Sequence, residues 1–128
     1  MITEVTNAIV ELENQFGAGK VIVNDDGQGG ARIVIESISI GKKYSPDSTW
    51  VGFHITAQYP YADIYPVFIG GDVKRVDGAI FSAPITHGYT FEDRSAIQIS
   101  KRNSAAGNGK QKATLKILKI IDFLETLP

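Results

Sequence analysis

The chain contains no cysteine. That excludes a thiolate nucleophile, a zinc–thiolate site and any disulfide. There are two histidines, His54 and His87, far apart and with no HxxxH or CxxC spacing around them, so no metal signature is present. No strained GxSxG elbow accompanies Ser95 or Ser100, which leaves a serine–histidine–aspartate site unsupported. Charge of one sign is also lacking. Thirteen basic and fourteen acidic residues give a net charge of −1, so the molecule as a whole is not an electrostatic binder of nucleic acid. No apolar run is long enough to span a bilayer and no signal-peptide layout is seen, from which a cytoplasmic protein is expected. Repeats, low-complexity tracts and linkers are absent as well.

What remains is 128 residues of ordinary globular composition, enough for one domain over 1–128 with a real core. Ile2, Val5, Ile9, Leu12 and Phe16 recur at steps of three and four, which predicts a helix over 3–16 stopped by Gly17. The segment KVIVNDDGQGGARIVIESISI places two β-branched runs around a Gly-rich turn, a hairpin signature. Its apolar phase changes near Glu36 and Ser37, which predicts a bulge or bend. A third strand follows where Val51, Phe53 and Ile55 alternate with polar or small residues, and Val67–Ile69 makes a short fourth ended by Gly70 and Gly71. Residues 72–94 are expected to be mostly irregular, AIQIS over 96–100 a short extended piece, and KRNSAAGNGK a loop. A second apolar stripe, Ala113, Ile117, Ile120, Ile121 and Leu124, predicts a helix over about 110–126. The fold class expected is therefore α+β: an N-terminal helix, a four-stranded antiparallel meander, a long irregular segment and a C-terminal helix.

One stretch conflicts with a plain meander. YPYADIYP over 59–66 sets two Tyr-Pro steps directly after a buried-looking strand, and proline cannot continue a central ladder. A flap over the sheet resolves the conflict, with tyrosine rings buried and hydroxyls partnered at the rim. This order of elements, with Tyr59-Pro60 and the later Pro66, resembles the ubiquitin-conjugating-enzyme fold and its RWD relatives, although the proline spacing is longer than the family's. Downstream, His87-Gly88-Tyr89 occupies the place of that family's His-Pro-Asn segment. On this alignment Ala96 stands where the catalytic cysteine would be, and the family's asparagine is missing too. The segment Ile97–Asn103 followed by a helix is similar to divergent bacterial ubiquitin-conjugating-like proteins.

The resemblance implies a catalytically inactive protein-binding module with no cofactor, His87 being a relic of a catalytic loop. Its implied partners are ubiquitin-like, activating-enzyme-like or JAB-peptidase-like proteins of a bacterial conjugation system. Two alternatives stand beside it: an active conjugating enzyme trapped by a Cys-to-Ala change at 96, and an unrelated α+β protein binding a ligand or nucleic acid. Nucleic acid is disfavoured because no aromatic platform is interleaved with the lysines. Candidate binding residues are Tyr59, Pro60, Tyr61, Tyr65, Pro66, Tyr89 and Phe91, with an aromatic patch expected from Tyr59, Tyr61, Tyr65 and Phe91 near the flap. Lys101 and Arg102 join them, because every charge between Arg94 and Ile121 is basic. The motifs GAGK at 17–20 and GQGG at 27–30 lack the context of phosphate-binding loops and are expected to be turns. His54 is expected on the polar face of the third strand.

Overall fold

A computed structural model describes residues 1–102 and 110–128; the central part of the loop expected over KRNSAAGNGK lies outside the described residues. Helix α1, Thr3–Phe16, buries Val5, Ala8, Ile9 and Leu12, the stripe set by its periodicity. Gly17 ends it at φ 108, a left-handed conformation open to glycine, and its N–H donates to the Glu13 carbonyl. A single 3-10 turn, Ala18–Lys20, leads into β1, Val21–Asp25, which pairs antiparallel with β2, Ala31–Ser39. The β2 ladder slips between Ile35 and Ile38, where Ser37 takes φ 56, so the phase change in the sequence marks a true bulge.

The chain continues through β3 (Tyr44–Ser45), β4 (Ser48–Ile55), β5 (Val67–Gly70), β6 (Lys74–Arg75), β7 (Ile85–Phe91) and β8 (Arg94–Ile99), and closes with helix α2, Ala113–Thr126. Six strands form one antiparallel sheet in the order β1-β2-β4-β5-β8-β7, while β3 and β6 pair separately. β1, β2, β4 and β5 lie side by side in that order, within a larger sheet than the four strands expected. The sheet does not stop there, because the β7–β8 hairpin extends it by two strands. Residues 72–94 are mostly irregular as expected, but they also contain β6 and the seven-residue strand β7. In ITHGYTF only Ile85 and Phe91 are buried, and the bulge between Thr86 and Tyr89, with Gly88 at φ 94, breaks the period of two that betrays a strand.

Successive side chains alternate between the two faces of the sheet. Ile33, Ile35, Val51, Phe53, Ile55, Val67, Ile69, Ile97 and Ile99 meet the buried stripes of α1 and α2 in one core. Val34, Phe91 and Ala96 form a separate cluster with Trp50 and Phe68 packed against it. They lie on the other face, over which no helix packs among the described residues. No helix there is long and apolar enough to cross a membrane.

Candidate functional site

The flap is a bracket between the sheet and α2. Tyr59 is buried, and its hydroxyl accepts the Ala113 N–H at 3.1 Å, serving one of the orphan donors at the start of α2. Burial pushes that hydroxyl above its ordinary value of 10. The Pro60 carbonyl accepts the Gln111 N–H at 2.6 Å. Asp63 takes Lys116 Nζ at 3.1 Å on both carboxylate oxygens, and the same ammonium donates to the Lys101 carbonyl at 2.8 Å. Both side chains are nearly inaccessible. Lys116 is therefore a neutralised part of the core, not a member of a basic surface.

The other basic candidates are also engaged: the Arg102 guanidinium lies 3.9 Å from the Tyr65 ring centroid, and Lys101 Nζ 4.9 Å from that of Phe123. Pro66 is half-buried, and of the flap tyrosines only Tyr61 is freely exposed, at 76 %. The expected aromatic patch of Tyr59, Tyr61, Tyr65 and Phe91 does not assemble. Tyr59 belongs to the helix-side core, whereas Phe91 belongs to the cluster on the opposite face.

On that opposite face a row of rings forms. Trp50 and Phe91 stack with centroids 6.3 Å apart, Phe91 and Phe68 at 4.9 Å, and Phe68 and Tyr89 at 6.3 Å, tilted. The row exists because glycine stands at position 52 of β4. A Cβ there would meet two Phe91 ring carbons at 2.7 Å, so the absent side chain is what lets the ring lie against the strand. The tip of the β7–β8 hairpin is drawn across the same face. Arg94 Nη1 donates to Glu36 Oε1 at 2.6 Å and its guanidinium sits 5.5 Å from the Trp50 centroid. At the turn, Glu92 Oε1 accepts Asn24 Nδ2 of β1 at 2.8 Å. Glu92 and Asp93 hold φ 49 and φ 63, a turn made left-handed without glycine.

Ala96 pairs with Gly70 on one side and Tyr89 on the other, in mid-strand beneath this cluster, and is 1 % exposed. His87 lies on the neighbouring strand, its ring 5.5 Å from Phe81, beside a cleft of about 160 Å³ lined also by Val73, Arg75 and Ile80. His54 does occupy the face turned from the helices, and it has a partner. Its Nε2 is 2.7 Å from Asp26 Oδ2, while Asp26 Oδ1 accepts the N–H groups of Gln28 and Gly30 at 2.7 and 2.9 Å. The His54 hydrogen bond first, then the two amides, lower the Asp26 carboxyl from 3.8 to about 2. GQGG is thus the hairpin turn expected, braced by a carboxylate.

Sequence reasoning selected Tyr89 and Phe91 and missed Trp50 and Phe68. The signal was in the alternation: on β4 and β5 the even positions oppose the apolar odd ones, and two of them are aromatic. Among the described residues no group of histidine, aspartate and glutamate is placed to hold a metal ion. No protein-family model, curated protein or solved structure matches this chain.

Proposed function

We propose that this chain is a catalytically inactive protein-binding module of the ubiquitin-conjugating/RWD type, and that it binds through the open face of its sheet. The observation that carries the reading is the aromatic row Trp50–Phe91–Phe68–Tyr89 on the face over which no helix packs among the described residues, with Tyr89 40 % exposed at its end. Tryptophan, tyrosine and arginine dominate protein interfaces because they bury large area with little loss of freedom while keeping a polar handle. Rings already stacked on one another and seated on Gly52 are pre-ordered, which lowers the entropy cost of docking. The absence of cysteine supports binding over thioester transfer, since alanine at 96 cannot form a thioester. The partner class is a ubiquitin-like protein, or the activating-enzyme-like or JAB-peptidase-like protein that handles it.

The test is titration of isotope-labelled chain with purified proteins of these three kinds. Amide shifts are expected at Phe68, Tyr89 and Gln98, and Tyr89→Ala or Phe68→Ala is expected to weaken binding by about tenfold or more. Binding untouched by both variants but abolished by neutralising Lys101 and Arg102 would sink the proposal and favour the basic stretch. The trapped-enzyme alternative is tested separately. Ala96→Cys, incubated with an activating enzyme, ATP and a ubiquitin-like protein, should give no reductant-sensitive adduct. Formation of one would favour a conjugating enzyme.

A further inference from the structure

The two edges of the sheet are built differently. The β7 edge is interrupted by a bulge between Thr86 and Tyr89, with Gly88 at φ 94, and Pro84 precedes its first residue. Bulges and prolines are the devices by which edges avoid pairing with other chains. The β1 edge has neither. Its run Val21-Ile22-Val23-Asn24-Asp25 pairs residue for residue with β2, contains no proline or lysine, and leaves Ile22 and Val23 40 % and 36 % exposed. Among the described residues no strand lies beyond it.

The hydrogen-bond phase of this edge can be worked out. Asp26 N–H donates to the Gly30 carbonyl, and the β1–β2 register continues regularly from that pair. Antiparallel ladders alternate bonded and non-bonded pairs, so Asn24 and Ile22 also bond to β2. The backbone groups of Val21, Val23 and Asp25 then point outward. The Val21 N–H is already given to the Ala18 carbonyl. What the edge presents is the Val21 carbonyl and both groups of Val23 and Asp25.

The geometry points to a second copy of this chain as the occupant of that edge, paired antiparallel about a two-fold axis at Val23. In this register Val23 of each copy exchanges both bonds with Val23 of the other. Each Asp25 N–H meets a Val21 carbonyl, so the free donors and the outward carbonyl of Val21 find partners. In this register Lys20 of one copy falls one residue from Asp25 of the other, whose side chain is 54 % exposed, at both ends of the seam; the Asp26 carboxylate is enclosed by His54 and the turn amides and takes no part. The pairing uses β1 once per copy, and the blunted β7 edge offers no second pairing, so association closes at a dimer and does not run on into a filament. The two sheets become one, and the open aromatic faces of both copies lie on the same side of it. A partner with two epitopes would gain avidity from that arrangement.

The chain's lack of cysteine makes the test direct. Across the axis the two Val23 Cα atoms form a bonded antiparallel pair, about 5.5 Å apart, which suits a disulfide. Val23→Cys, oxidised mildly at neutral pH, is expected to run as a covalent dimer on a non-reducing gel. Ile22→Cys and Thr86→Cys, on the same edge off the axis and on the opposite edge, should remain single chains. The unsubstituted protein is expected to sediment with twice the chain mass. Val23→Pro, which removes an outward donor while sparing the bonds to β2, should weaken self-association at least about tenfold with an unchanged circular-dichroism spectrum. A monomer at the highest soluble concentration overturns the inference, and so does a dimer that Val23→Cys fails to cross-link.

Discussion

At the scale of single residues, two carboxylates do most to fix distant parts of the chain to one another. Asp63 holds Lys116 under the flap, 53 residues away in sequence. Lys116 was legible as part of a helix, but as one of the lysines off its apolar stripe, and its burial was not. Nothing local announces that a carboxylate will fold over it, and without Asp63 a lysine there would have to reach solvent. Asp26 braces the β1–β2 turn and His54. Its folded carboxyl titrates at about 2 against 3.8 for the free group, so folding favours the ionised form. The stabilisation is fully present above about pH 4 and is lost as pH falls through 2. Urea unfolding of the wild type and Asp26→Asn across pH 7 to 2 should therefore show a gap in midpoint that is constant down to about pH 4 and then narrows. A gap independent of pH over that range would mean the carboxylate charge contributes nothing.

At the scale of elements, α1, the first hairpin and β4 were legible because their signals are local: helical stripes, strand alternation, a Gly-rich turn. The β7–β8 hairpin was not. Its turn residues, Glu92 and Asp93, carry none of the glycine or asparagine that marks a left-handed two-residue turn, and its outer strand is exposed over five consecutive residues. The hairpin forms because tertiary contacts outweigh the local preference: Phe91 on Gly52, Arg94 on Glu36 and Trp50, Glu92 on Asn24. A non-glycine residue at φ above zero costs about 1 kcal/mol or more, partly offset by the extra freedom glycine has in the unfolded chain. Asp93→Gly is accordingly expected to stabilise the protein by up to about 1 kcal/mol in denaturant unfolding. The Asp93→Ala variant, which keeps a Cβ, should not. Equal effects from both would show that the gain comes from removing charge and not from relieving the backbone.

At the scale of the whole molecule, the sheet divides two hydrophobic clusters of unequal size. The helix-side cluster joins both helices to five of the six strands, whereas the open-face cluster has Val34, Phe91 and Ala96 with Trp50 and Phe68 at its margin. Regions with few buried apolar contacts open at lower free energy than the global transition. Phe53, fully buried in the large cluster, should behave as a global anchor: Phe53→Ala is expected to cost about 3–5 kcal/mol and to lower hydrogen-exchange protection throughout β2, β4 and β8. Phe91 is buried against one side only and sits near the hairpin tip. Its replacement by alanine should release the tip from Gly52, raising exchange at Phe91–Ser95 while the amides of β2 and β4 keep their protection. That local loosening would also remove the ring between Trp50 and Phe68, so partner binding should fall in Phe91→Ala with the global fold retained. Native-state exchange on the two variants, read strand by strand, separates the cases. Uniform loss of protection in Phe91→Ala would mean that the two faces of the sheet unfold as one unit and that the open-face row is as much a part of the core as the helices are.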